Sequence, residues 1–233
     1  MGRHVRSAPL SGGPGASAAL LLGPAPVVAP ALLGWTLRSS TDEGVVSVVL
    51  TEVEAYHGGD DPASHAYRGR TRRNATMFGP AGRLYVYLSH GLHRCANVVC
   101  GPDEVASAVL LRAGRVVEGE ELARWRREHP PLGRAPDRSL PRAALARGPG
   151  SLGRALGLEA TDDGADLLDP GGRLELSRPE VDVHPAEVAS GPRVGVSAAA
   201  DRPWRFWALG DPSVSAYRRS PRAPRPDAVA RSQ

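Results

Sequence analysis

The feature that most constrains this chain is the run Val45-Val46-Ser47-Val48-Val49-Leu50-Thr51-Glu52-Val53-Glu54, apolar along most of its length and ending on two carboxylates. β-Branched side chains crowd a helix and fit a pleated surface. A run of this kind with little polar alternation reads as a buried strand, so a sheet has to be assembled around it. Trp35–Arg38 reads as its partner across a polar turn at Ser39–Gly44, which makes a hairpin. Glu52 and Glu54 fall on one face of the strand. A carboxylate there is costly unless it is hydrogen-bonded. The pair is therefore either a solvated strand end or a site, and the run alone leaves both open.

The remaining pattern predicts short elements in irregular order. Val28–Leu33 has helical potential that Gly34 ends. Residues 57–82 are polar and rich in Gly and Arg, a long loop with short helical pieces, and loops of that length are usually functional. Leu84–Leu88 and Leu92–Cys100 read as a hairpin turning at Gly91. Ala106–Ala113 reads as a further strand, and Glu118–His129 as a helix stopped by Pro130 and Pro131. A short helix starts near Pro149. Late strands are expected at Leu174–Leu176, Val181–Val183, Val194–Val196 and Arg205–Leu209. Strands and helices do not alternate regularly, which predicts an α+β fold: a single domain with a mostly antiparallel sheet, short helices and a protruding β-hairpin. The domain is expected over 20–217, between a disordered tail at 1–19 and an Arg/Pro-rich tail at 218–233.

Composition removes several chemistries. All 29 basic side chains are arginine, so no side-chain amine exists for a Schiff base, and arginine does not deprotonate to act as a nucleophile. Two cysteines, Cys95 and Cys100, are too few for an iron–sulfur cluster. The apolar stretch at Leu20–Leu22 is short and broken by Pro24, Pro26 and Pro30, and no run of about 18 apolar residues exists, so no membrane span is expected. The expectation is a cytoplasmic protein, nucleoid-associated if bacterial. A formal net charge of +4 is compatible with a polyanionic partner.

Chemistry-bearing residues concentrate between positions 54 and 97. Tyr56, His65, Tyr85, Tyr87, His90 and His93 fall there in a chain with only 5% aromatic residues, interleaved with Arg68, Arg70, Arg72, Arg73, Arg83 and Arg94. Planar rings stack on bases and arginines neutralise phosphates; the bland alternative is core packing plus a solvated loop. A metal group from His57, Asp60, Asp61 and His65 matches no ligand spacing, and Asp60-Asp61 before Pro62 reads better as a turn. No metal and no other cofactor is expected.

The string TEVEAYHGGDDPASHAYRGRTRRNATMFGPAGRLYVYLSHGLHRCANVVC, followed by AVLLRAGRVVEG, closely resembles the alkyladenine (3-methyladenine) DNA glycosylase family. RGPGSLGRALGL and GPRVGVSAAADRPWRFWALGDPSVS extend the resemblance in order across residues 20–217. It implies one compact domain with a curved, mainly antiparallel sheet, acting as a monomer without metal on double-stranded DNA that contains alkylated purines. The implied reaction flips the damaged nucleotide out and hydrolyses its N-glycosidic bond. By the same resemblance Glu54 is the carboxylate that activates water, Arg112 helps hold that water, and the Val194 main-chain carbonyl contacts it. Tyr56 and His65 on one side and Tyr87 on the other sandwich the base, and Asn97 hinders the 2-amino group of guanine. His90 stands where vertebrate members carry an intercalating tyrosine. Arg68, Arg70, Arg72 and Arg73 are the phosphate candidates. A non-catalytic reader of damaged or single-stranded nucleic acid is the alternative; it needs the rings and arginines but neither Glu54 nor Arg112.

Overall fold

The computed structural model describes residues 14–130 and 139–224. The strands among them are β1 (Thr36–Thr41), β2 (Gly44–Tyr56), β3 (Leu84–Ser89), β4 (His93–Val99), β5 (Ala108–Glu118), β6 (Ala146–Arg147), β7 (Leu174–Ser177), β8 (Val188–Gly191) and β9 (Arg205–Ala208). The α-helices are α1 (Pro14–Leu21), α2 (Ala25–Ala31), α3 (Glu120–Glu128) and α4 (Pro149–Ala155). The strands form one sheet in which the main path runs β3-β4-β5-β2-β1-β7, with β6 on β5 and the β8–β9 pair joined to β2. Every pairing described is antiparallel. The α+β class and the antiparallel sheet are as the sequence predicts.

The long apolar run is the centre of the sheet. β2 pairs with β1 over Gly44–Val49, with β5 from Ser47 to Tyr56, and with β9 over Glu52–Glu54. Register shifts between Leu50 and Val53 bend it there, as bulges do. Val46, Val48, Leu50 and Val53 enter one core with Trp35, Leu37, Val109 and Leu111, covered by Val28 and Ala29 of α2 and by Leu152, Ala155 and Leu156 around α4. α4 approaches β4 so closely that a Cβ on Gly153 would lie 2.1 Å from the Arg94 carbonyl oxygen. The helix therefore packs against the turn end of the β3–β4 hairpin and braces it.

Four expectations are corrected. Residues 14–19, assigned to the tail, belong to α1; Gly15 and the small residues around it hide the helical pattern. Residues 218–224, assigned to the other tail, are fixed by hydrogen bonds that start from Gly195 and Arg219. Val181–Val183 is not a strand: Val181 is exposed, and an Arg178–Asp182 ion pair turns the chain there. Val194–Val196 is not a strand either, because its backbone turns at Gly195 (φ +73°) toward Glu54, and the strand of that region is β8.

Candidate active site

The two-residue period of β2 sets Glu52, Glu54 and Tyr56 on one face. Both carboxylates are closed to solvent. Glu54 Oε2 accepts the Tyr56 hydroxyl at 2.8 Å, and Oε1 accepts the Val194 N–H at 2.7 Å. Arg112 Nη1 stands 3.4 Å from Oε2. A carboxylate offers about four lone-pair positions, so three donors leave one open. Burial pushes the Tyr56 phenol well above its ordinary value, and the Glu54 charge adds to the rise, so Tyr56 stays a hydroxyl donor.

Glu52 anchors the network from behind. Its Oε1 accepts Arg112 Nε at 2.9 Å, Arg205 Nε at 2.7 Å and the Ser215 hydroxyl at 2.9 Å, while Oε2 accepts the Ser215 N–H at 2.7 Å. Burial pushes the Glu52 carboxyl up, but Arg112, the Ser215 N–H and Arg205 outweigh it and hold the group below the ordinary 4.5. Burial likewise works against the Arg112 charge; Glu54 and Glu52 overcome it and raise its pKa. Arg112 is therefore oriented by one carboxylate and presented to the other.

A cavity of about 300 Å³ opens in front of this network. Tyr56, Arg112 and Val194 line it, and Glu54 lies directly behind these three, bonded to two of them and ion-paired with Arg112. His65, Tyr85, Tyr87, His90 and Asn97 also belong to its wall. His65 meets Tyr87 edge to face at 4.6 Å, and Tyr85 stacks near Tyr87 at 5.8 Å. Burial pushes the Tyr85 phenol up to about 12, and its hydroxyl lies 3.2 Å from His65 Nδ1. Burial first, and then Arg73, lowers His65 from its ordinary 6.5, which leaves its ring neutral at pH 7. The buried Asn97 donates its amide to the Tyr85 carbonyl at 3.1 Å, which fixes its plane.

Two buried side chains that sequence reading passes over shape the loops of the cavity. Asn74 knits the arginine-rich loop: it accepts the Thr71 N–H at 2.6 Å and donates to the carbonyls of His65 at 2.9 Å and Gly69 at 3.1 Å. Arg193 grips Asp61 through both terminal nitrogens, at 2.5 and 2.8 Å, with both side chains fully buried. It also donates to the Ala55 carbonyl and lies 4.7 Å over the Tyr56 ring. This pair fastens the residue before Val194 to the end of β2, which places the Val194 N–H against Glu54. Asp61 Oδ1 also accepts the Ala63 N–H at 3.2 Å, the turn geometry that its sequence suggests.

The hairpin carries His90 on its tip. His90 (φ 51°) and Gly91 (φ 69°) both lie in the left-handed region, and the Leu92 N–H donates to the Ser89 carbonyl, the pattern of a primed turn. His90 is exposed, with its Nδ1 3.0 Å from the Ser89 hydroxyl. Of the arginine candidates, Arg68 and Arg72 are exposed. Arg70 pairs with Glu104 at 2.8 Å, and Arg73 donates to the Leu88 carbonyl at 3.4 Å. Cys95 and Cys100 are both free thiols, and Cys95 lines the cavity.

A sequence model of the methylpurine-DNA glycosylase (MPG) family matches residues 19–212. A relative from Nocardia farcinica named "Putative 3-methyladenine DNA glycosylase" is 58% identical over 207 residues, 85% of this chain and 90% of its own. Relatives of the same name from Mycolicibacterium paratuberculosis and Mycobacterium tuberculosis are 52% and 54% identical over 200 residues. These alignments span 84% and 83% of this chain and 89% of each relative. The match takes in β2 with its two carboxylates, the hairpin, Arg112 and the Val194 loop, so this chain belongs to the methylpurine-DNA glycosylase family.

Proposed function

We propose that this protein excises 3-methyladenine and related alkylated purines from duplex DNA, with Glu54 as general base. The observation that carries the reading is the Glu54 carboxylate held by Tyr56, Val194 and Arg112 directly behind a base-sized aromatic cavity. A base within a duplex is out of reach, and extruding it costs a few kcal/mol. Stacking returns about 1–3 kcal/mol per base, so Tyr56, His65 and Tyr87 offset most of the extrusion. His65 and Tyr87 stand perpendicular and in contact, so a flat base takes its place between ring faces once one of them turns. A 3- or 7-alkylated purine is cationic. Its charge favours aromatic faces and makes the base a good leaving group.

In the reaction the open lone pair of Glu54 takes a proton from water as the water oxygen bonds to the sugar C1′ and the C1′–N bond breaks. The bonding electrons leave with the purine, whose positive charge they neutralise. Arg112 steadies the carboxylate, and the Val194 carbonyl offers the same water an acceptor. Asn97, fixed by the Tyr85 carbonyl, obstructs the 2-amino group of guanine. His90 fills the gap left by the extruded nucleotide; a planar ring on a turn serves as a wedge. Arg68, Arg70, Arg72 and Arg73 face the phosphates, Arg70 by exchanging Glu104 for a phosphate.

The test is incubation of lesion-bearing duplexes (3-methyladenine, 7-methylguanine, hypoxanthine, ethenoadenine) with the protein, followed by hot alkali. The expected result is a free base and an alkali-labile abasic site. Borohydride present during the reaction traps no covalent adduct, because the chain has no lysine to form a Schiff base. Tight lesion binding without base release is the result that favours a non-catalytic reader.

A further inference from the structure

The segment Ser213–Pro224 lies beyond the family match, which stops at residue 212, yet it is built into the site. The Ser213 hydroxyl meets that of Thr51 at 2.7 Å. Ser215 bonds to Glu52 through its N–H and hydroxyl, and its hydroxyl also accepts Arg112 Nη2 at 3.4 Å. Further on, the Gly195 N–H donates to the Arg218 carbonyl at 2.9 Å. Arg219 then closes the segment by pairing with Asp201 at 2.6 Å and donating to the Pro224 carbonyl at 2.5 Å.

Ser89 and His90 of the hairpin and Gly195 and Val196 of the loop after β8 all line the cavity. The hydrogen bond to Gly195 therefore holds this segment against a residue of the cavity wall. Arg219 is neutralised by Asp201, whereas Arg218 and Arg222 are exposed and form no ion pair among the described residues. The hairpin side already carries Arg73, bonded to Leu88. Exposed arginines thus accompany both the hairpin and the Gly195 loop, two of the segments that line the cavity.

We propose that residues 216–224 form a strap that binds the DNA backbone beside the extruded nucleotide, with Arg218 and Arg222 on phosphates. The inference rests on the reading of the cavity as the seat of an extruded base. A nucleotide whose base enters the cavity leaves its flanking phosphates outside it, and this strap is hydrogen-bonded to Gly195 of the cavity wall. Phosphodiester oxygens complement two unpaired guanidinium groups held on a fixed backbone.

The experiment measures affinity of the full chain for an undamaged duplex across a series of salt concentrations, so that the readout does not depend on excision. Each lost phosphate contact flattens the slope of log affinity against log salt by about 0.9, so Arg218→Ala with Arg222→Ala flattens it by about 1.8. The double replacement by lysine keeps the charges and the original slope. Arg178→Ala, which removes a guanidinium already paired with Asp182 and absent from the cavity wall, serves as the control and leaves the slope in place. A double alanine variant with the wild-type slope, or one changed no more than the control, overturns the strap. Its failure is separable from that of the functional reading: excision by a wild type whose double variant keeps its slope removes only the strap, whereas failure of the wild type to release any base removes the reading itself.

Discussion

Two carboxylates two residues apart on one strand have different tasks because different donors reach them. Glu54 meets a phenol, a backbone N–H and one arm of Arg112, and keeps a lone pair. Glu52 is saturated by two guanidinium groups and both donors of Ser215. Removing one partner of a buried pair costs about 3–5 kcal/mol, so Glu52→Gln is expected to lower stability by that order. It also slows excision, because Arg112 loses the acceptor that orients it. If Glu52 acts through Arg112, the rate effect of Glu52→Gln disappears in an Arg112→Met background, which single-turnover rates of the two single variants and the double variant measure. Glu52 also predicts a pH dependence. Its folded value lies below the ordinary 4.5, so its contribution to stability is complete above that value and is lost as pH falls through the folded value. Thermal unfolding followed downward from pH 5 therefore declines more steeply for wild type than for Glu52→Gln.

At the scale of elements, the sheet supplies the carboxylates and the loops bring their partners. The long loop after β2 keeps its shape through the buried amide of Asn74. Asn74→Ala leaves the His65 and Gly69 carbonyls and the Thr71 N–H unpaired, at about 1–3 kcal/mol for each that stays buried. The expected outcome is faster hydrogen exchange over residues 65–73 and weaker lesion binding, with the sheet amides unchanged; unchanged exchange in that loop contradicts the assignment. Most of the sheet was legible in the sequence, though β6 and β8 were not. β2 announces itself by its β-branched run, and the β3–β4 hairpin by alternation around Gly91. The loops were not. Val194–Val196 has strand composition, but the chain turns there because Arg193 is drawn to Asp61, 132 residues away. No local pattern carries that attraction.

At the scale of the whole molecule, the candidate site joins residues from position 52 to position 215, and its wall is more legible than its support. Tyr56, His65, Tyr87 and Asn97 were readable because they cluster in one stretch and match a family pattern. The partners of Glu52 were not, since Arg205 and Ser215 stand 153 and 163 positions along the chain and become neighbours only when β9 pairs with the end of β2. The same closure roots the segment after residue 212 in the network around Arg112. Sheet closure, cavity and strap are thus parts of one assembly centred on Glu54. The most direct measurement of that centre is the single-turnover rate of 7-methylguanine excision by Glu54→Gln, which keeps the shape and removes the base. A fall of about 10²–10⁴-fold, with the lesion still bound, is the predicted result; excision at the wild-type rate contradicts the account.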